Sequence, residues 1–397
     1  MKKAVVAGSI GLDIIPIFGS ETTKDIKNIL SQGKFTDMKG TRLYLGGCVG
    51  NTGIAMHKLG VPVTLVSKVG NDLIGSVILM ILQQQKVQAA IETVEDCPSS
   101  STVVVAPPGA DRILLHSRGA SQTFRSGDLD MKLLSEAALL HFAYPTAMKY
   151  LYANVGEEFI RLLKRGKDSG ITISIDMSQP DPNSDPGRVD WVTVLKRALP
   201  YIDLFMPSLE ELLFMLHREL FDKLTTESNG ADLIDSVDMK IVPELARELI
   251  DLGASIVMLK LGKKGLYLRT ASLEKLEKMG RAIPDNKELW ADRELLCMPY
   301  KPNCIRSTTG AGDNAIAGFL AGFLRSDKPE QALNIATANA LRCIESYETT
   351  DCTLPISQLD PFIATEPEKL KAEGLDTEYW RHIEKEQAYR GLLDQSK

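Results

Sequence analysis

No run of apolar residues in this chain reaches the roughly 18–20 that span a bilayer, so no membrane partner is expected. The opening "MKKAVVAGSIGLDII" has the positive start and apolar stretch of a signal peptide. Gly8, Gly11 and Asp13 break that stretch after a few residues, and it reads as a first β-strand of a soluble, cytoplasmic protein. Blocks of basic residues are also missing: 46 Lys and Arg stand against 52 Asp and Glu, a net charge of −6 that leaves no footprint for nucleic acid. A small-molecule partner is expected instead. The six cysteines (Cys48, Cys97, Cys297, Cys304, Cys343, Cys352) include no C-x-x-C pair, so neither a disulfide framework nor a zinc site is indicated. Five histidines (His57, His116, His141, His217, His382) are equally scattered, and none is a candidate base. No internal repeat is evident.

What is present is enough for one large domain with accessories, or two modest ones: 397 residues with 44% hydrophobic content. Short β-branched runs ("KAVVAG", "VTLVSKVG", "ALLHFA", "ITISID", "DLFMPS", "SIVMLKLG") alternate with helix-patterned stretches such as "VGEEFIRLLKRGKDSG" and "PELARELIDLG". That alternation predicts an α/β fold, a mainly parallel sheet flanked by helices, with ligands beyond the carboxyl ends of the strands. Residues 14–45 and 99–120 break the rhythm. They read as extended segments, the second a hairpin around "PPGAD", and together predict a small projecting β-sheet. Its apolar residues, among them Val103, Val105, Ile113 and Leu115, need cover on one face, which suggests a homodimer. Residues 218–240 and 270–300 read as charged surface insertions, and 178–190 as a Pro-rich loop. The charged stretch 359–397 reads as a helical extension anchored by Trp380 and Tyr389.

Two motifs carry chemistry. In "RSTTGAGDNAIAGFLAGFL" (306–324), Gly310, Ala311 and Gly312 permit close backbone approach, while Ile316, Phe319, Leu320, Phe323 and Leu324 recur at helical spacing. Asp313 therefore falls at a helix N-terminus, where free N–H groups and the helix dipole suit an anion such as a phosphate. A plain N-cap behind a glycine turn is the simpler reading. G-A-G-D-N-A also fits the dinucleotide fingerprint G-x-G-x-x-A, with Glu330 as the acidic residue, but it lies late in the chain and "QALNIATANALRCIES" after it reads as another helix. In "LGGCVGNTGIAMHKLG" (45–60), the pair Gly46 and Gly47 precedes Asn51, whose amide can donate to and accept from hydroxyl groups; capping alone also accounts for it. Asp13 reads as an exposed carboxylate just after the first strand, and "KVGNDLIG" (68–75) as a polar turn before a helix.

Taken in this order and at these separations, "GG" with Asn51, "VGND…G" and "TTGAGD" resemble the ribokinase-like PfkB family of carbohydrate kinases, over about residues 3 to 358. The resemblance implies a Rossmann-like domain with a β-sheet lid that moves the γ-phosphoryl group of ATP, with Mg2+, to a sugar hydroxyl. By it, Asp13, Gly46, Gly47 and Asn51 hold substrate hydroxyls, Gly310, Ala311 and Gly312 form an anion hole, and Asp313 is the base. "LKLGKKG" (259–265) matches the family's nucleotide-binding turn, with Gly262 and Gly265 in place and Lys260 where Thr or Ser is frequent. Asn339 falls on the helix that lies near the adenine.

The chain also departs from the family. Ser307 stands where an Asp helps build a monovalent-cation site in many members. The N-x-x-E element is "SLEE", with Ser208 for Asn and Glu211 kept to assist the water shell of Mg2+. The D-P-N element is reduced to "DMSQ" at Asp176, and its contact is not carried over. "DRILLHSRGAS" brings Arg112 and Arg118 to the lid, where a guanidinium can grip a carboxylate or phosphate, so a sugar acid or phosphorylated sugar is open as substrate; a solvated surface is the alternative. Nucleosides remain open too. A catalytically weak ligand-binding or regulatory protein is the rival reading, on the strength of Ser208 and Ser307, and retention of Asp313 favours the enzyme.

Overall fold

The first strand sets the pattern for the rest. In β1 (Ala4–Gly8), Ala4 and Val6 pack into one apolar cluster and Val5 and Ala7 into another, so both faces are covered, as a period of two requires in a buried parallel sheet. A computed structural model of the protein describes residues 1–19, 32–33, 35–109 and 113–394. The strands of its main sheet are β1, β4 (Val63–Gly70), β5 (Gln88–Val94), β8 (Leu139–Ala143), β9 (Thr172–Asp176), β10 (Leu204–Phe205), β11 (Ile256–Lys260), β12 (Leu266–Thr270), β13 (Glu294–Cys297), β14 (Arg381–Ile383) and β15 (Ala388–Arg390). They lie in the order β14-β15-β13-β12-β11-β10-β9-β8-β1-β4-β5. From β11 to β5 all pairs are parallel, with Ala4 opposite both Val63 and Leu139; from β11 to β14 all are antiparallel. Helices cover the sheet, and none is long and apolar enough to cross a membrane. Two of them, Ala311–Arg325 and Pro329–Ile344, pack along each other, the glycines at 318 and 322 facing Ala336 and Ala332.

A second sheet of four strands has the order β3-β2-β6-β7, from β2 (Gly11–Ile17), β3 (Gly40–Gly46), β6 (Ser101–Val105) and β7 (Ile113–Ser117). It is the small sheet expected from the two extended segments. The hairpin tip at 110–112 and most of the β2–β3 connection fall outside the described residues. Val105 is buried, whereas Ile113, Leu114 and Leu115 of β7 are exposed, so the face that needs cover belongs to β7.

Three expectations are corrected. The stretch 270–300 is no surface insertion: Trp290 is fully buried against Phe319 and Phe323, and β13 is an interior strand. In 218–240, the Arg218–Ser228 helix buries Phe221 and Leu224 in the core, and Leu233, Ile234 and Val237 follow them. After the Ile356–Ala364 helix the charged tail is not α-helical; β15 pairs with β13 through Leu296 and Tyr389, and β14 adds a further strand. The physical reason is the row of backbone groups that β13 would otherwise present unpaired. Trp380, packed edge-on against Tyr267 at 6.0 Å, anchors the tail as expected, and Asp394 accepts from Arg293 Nε at 2.7 Å.

Candidate active site

The Ala311–Arg325 helix starts at Gly310, which has φ +77°, the left-handed conformation that glycine adopts without strain. Among the described residues, the backbone N–H groups of Gly312 and Asp313 have no acceptor outside the helix. They are first-turn donors and open toward an anion. The helix start meets the carboxyl ends of β8, β9 and β11, because those strands are close in the sheet and all point the same way.

Asp313 is 7% exposed, and three side chains donate to its carboxylate. Asn51 Nδ2 reaches Oδ2 at 2.9 Å, and Thr52 Oγ1 reaches Oδ1 at 3.1 Å. The Tyr144 hydroxyl also donates to Oδ1. Asn51 and Thr52 sit in a short π-turn, Val49–Gly53, which aims adjacent side chains at one target. The other end of the Asn51 amide, Oδ1, is buried without a partner among the described residues and is available to a donor hydroxyl. Tyr144 follows β8 with φ +64°, a strained conformation for a residue with a side chain, and so brings its phenol to Asp313. Burial and the nearby Asp313 charge hold that phenol well above its usual pKa, so it is a donor throughout the working range. Neither Thr52 nor Tyr144 was singled out from the sequence. Thr52 adjoins Asn51, and Tyr144 follows a strand's carboxyl end, the one local hint to it.

Asp13 lies within β2, opposite Tyr44 of β3, and is half-buried rather than exposed. Its pKa is raised to about 6: burial pushes it up, a Thr102 hydrogen bond pulls it back, and Asp313 repels its charge. Gly46 makes room for this carboxylate, since a Cβ there would lie 2.5 Å from Asp13 Oδ1. Gly47 follows, packed on the Ser9 carbonyl.

Lys260, at the end of β11, pairs through Nζ with Asp176 Oδ1, at the end of β9, at 2.5 Å. Its chain also passes the Gly310–Gly312 turn: a Cβ on Gly312 would lie 3.4 Å from Lys260 Cδ and 3.8 Å from Nζ. Lys260 thus lies beside the Gly310–Gly312 turn as well as ahead of the Gly262–Lys264 turn, and Asp176, set aside on the sequence, pairs with it there. Burial holds the Asp176 carboxyl well above its usual range, against the pull of Lys260. Burial pulls Lys260 down, but Asp176 and Glu211 outweigh it and hold the ammonium above its ordinary value. His141, fully buried on β8, is driven down to about 3 by burial and by Lys260 and stays neutral.

Glu211 forms a reciprocal cap with Ser208: Ser208 N donates to Glu211 Oε2 at 2.7 Å and Glu211 N to Ser208 Oγ at 3.1 Å. Burial raises its pKa. Its second oxygen is outside this cap, which fits one water-mediated contact to Mg2+, an ion that keeps several waters and takes few carboxylates. Gly262 and Gly265 flank the turn Gly262–Lys264 between β11 and β12. Asn339 is fully buried, and its amide donates to Asn314 O and Oδ1 at 2.9 and 3.0 Å, bracing the two packed helices.

Between the small sheet and the loop before Gly310 lies a cavity of about 320 Å³ whose walls include Asp13, Tyr44, Arg42, Arg306, Thr309 and Tyr347. Arg118 is not in its lining, and Arg112 lies outside the described residues. The Asp313 carboxylate, the two N–H groups of the helix's first turn and the Lys260 ammonium lie close together, and Asp13 and Thr309 in the cavity wall are their neighbours. The arrangement is equipped to take a proton from a hydroxyl while holding an anion.

The pattern of the pfkB family carbohydrate kinases matches residues 15–356. An uncharacterized sugar kinase of Archaeoglobus fulgidus is 22% identical over 294 residues, 74% of this chain and 96% of its own length. A 5-dehydro-2-deoxygluconokinase of Geobacillus kaustophilus is 21% identical over 324 residues, 81% of this chain and 84% of its own. In fold, the chain is similar to Arabidopsis thaliana ribokinase complexed with ribose and ATP, with a TM-score of 0.66 at 18% identity, covering 91% of this chain and 98% of that one.

Proposed function

The chain belongs to the pfkB family and is a carbohydrate kinase; from that premise we propose that it transfers the γ-phosphoryl group of ATP to a hydroxyl of a sugar or sugar derivative, with Asp313 as general base. The observation that carries this reading is the position of Asp313, its carboxylate held by Asn51, Thr52 and Tyr144 at the first turn of a helix with free N–H groups.

Asp13 and the Asn51 amide orient the sugar, and the reacting hydroxyl takes the place of one of the three donors on Asp313. Asp313 accepts the hydroxyl proton as the new O–P bond forms and the bond to ADP breaks. The Gly312 and Asp313 N–H groups, in the first turn of the Ala311–Arg325 helix, hold the oxygens of the transferring group, where fixed donors are worth most. Lys260 adds a positive charge beside them, and little covalent help is needed for such a transfer. Glu211, through water, would hold Mg2+, which would supply positive charge to offset that of the phosphates. Lys260, Gly262 and Gly265 line the route from the phosphate end to the β11–β12 turn, where we place the nucleotide.

The test is product formation: with ATP, Mg2+ and a panel of sugars, phosphorus NMR should show a sugar phosphate formed in step with ADP. Release of inorganic phosphate alone, with every sugar unmodified, would make the protein an ATPase and end this reading.

A further inference from the structure

Building on the kinase reading, we propose that the acceptor sugar carries an anionic group, a carboxylate or a phosphate, held by Arg42 and Arg306 at the end of the cavity away from Asp313. The small sheet's register sets the distances. Asp13 is paired with Tyr44, and the next pair on the same face is Ile15 with Arg42. Two residues along a strand place Arg42 about 7 Å beyond Asp13, roughly the span of a five- or six-carbon chain with bonds of about 1.5 Å.

Arg306 comes to the same end from the other wall, four residues before Gly310. Its guanidinium carbon lies 5.3 Å from the centre of the Tyr347 ring, and that of Arg42 lies 5.8 Å from the same centre. Two cations therefore meet over one aromatic ring in the lining of one cavity. Among the described residues neither has a carboxylate within 4 Å. Arg42 reaches the Tyr44 hydroxyl, and that hydroxyl itself donates to Glu348 Oε1 at 2.8 Å, so Arg42 meets this carboxylate through the phenol and not as a direct ion pair. Asp13, the acid among the described lining residues, lies toward Asp313. Among the described residues the two guanidinium groups have no direct ion pair; like charges gathered this way repel each other, and an anion between them reverses the sign of that interaction. Guanidinium groups suit carboxylate and phosphate oxygens alike, which is why both remain within one proposal. A neutral sugar would leave both guanidinium groups unanswered.

The experiment compares matched pairs in an ATP-consumption assay: D-gluconate against D-glucose, and D-fructose 6-phosphate against D-fructose. In at least one pair kcat/KM should favour the acidic member by about 30-fold or more, the scale of a lost charge-assisted hydrogen bond or two. The responding pair tells carboxylate from phosphate. Arg42→Met and Arg306→Met should each cut that ratio about tenfold or more, with Arg→Lys at either position retaining part of it, because a cation without the fork geometry remains. Both side chains are exposed, and matching melting temperatures exclude unfolding as the cause. Turnover that favours the neutral member of both pairs, or Met variants that raise KM for ATP and leave the acid preference intact, would overturn the proposal while the kinase reading stands. Phosphorylation of none of the four sugars would count against both.

Discussion

Replacing Lys260 by Met removes the cation from a pair in which the Asp176 side chain is 2% exposed and that of Lys260 13%. The methionine fills most of the volume but leaves a buried carboxylate unanswered, and breaking a buried pair this way costs about 3–5 kcal/mol. Asp176 can escape by taking a proton, and burial already holds its pKa well above the ordinary 3.8. Lys260 pulls that pKa back down in the wild type; the variant loses the pull, so its folded state keeps the proton to a higher pH than the wild type does, while the unfolded chain releases it above about pH 4. Stability falls as pH rises from there toward the folded pKa, so the deficit against the wild type should be larger at pH 8 than at pH 5. Urea denaturation at the two pH values measures it. The double variant Lys260→Met/Asp176→Asn, which removes the stranded charge, should recover most of the stability. It should not recover rate, because the ammonium beside the anion hole is still missing; kcat should remain about 10- to 100-fold below wild type, within the range of a lost electrostatic donor. A deficit below about 1 kcal/mol that is equal at both pH values would refute the argument that the pair is buried and charged.

The other expectations are simpler. Tyr144→Phe keeps the ring but removes one donor from Asp313, so kcat/KM should drop about tenfold with KM for ATP little changed, consistent with a hydrogen bond to a charged group; an unchanged kcat/KM would place the contact outside the reaction. Asp13, with its folded pKa raised to about 6 from 3.8, binds more protons folded than unfolded across that window, so it costs stability above pH 6 and none below about 4. Asp13→Asn should accordingly stabilise the protein at pH 8 by up to about 3 kcal/mol, with the gain fading toward pH 4 in urea titrations while acceptor KM rises. Ser307 supplies a hydroxyl, not a carboxylate, so kcat should be the same in potassium and in tetramethylammonium at constant ionic strength, and Ser307→Asp should introduce potassium activation; strong activation of the wild type would contradict this.

How much of this was legible in the sequence follows from how local each signal is. The strands of the parallel core declare themselves because each is a short apolar run between helical periods. Asp313 and Asn51 were legible for a similar reason, as each sits with its glycines inside one short segment that builds one turn. Tyr144, Asp176 and Lys260 belong to three different strand ends, and they meet only because β8, β9 and β11 run parallel and close together in the sheet. That order is set by packing across more than a hundred residues. The two arginines of the cavity were hidden likewise: Arg118 was the conspicuous one in the hairpin sequence, whereas Arg42 reaches the cavity through the pairing of β2 with β3. The tail misled because charge density speaks to solvent exposure and says nothing of an open sheet edge waiting for a strand.

The account stands most directly on the proton that Asp313 removes. With the sugar phosphorylated best by the wild type, single-turnover transfer from labelled ATP should be slowed about 100-fold or more by Asp313→Asn, while binding of an ATP analogue, followed by calorimetry, changes less than about threefold. The amide keeps the shape of the carboxylate and loses only its basicity. An Asp313→Asn enzyme that transfers the phosphoryl group at more than about half the wild-type rate would contradict the mechanism, whatever the fate of the other residues.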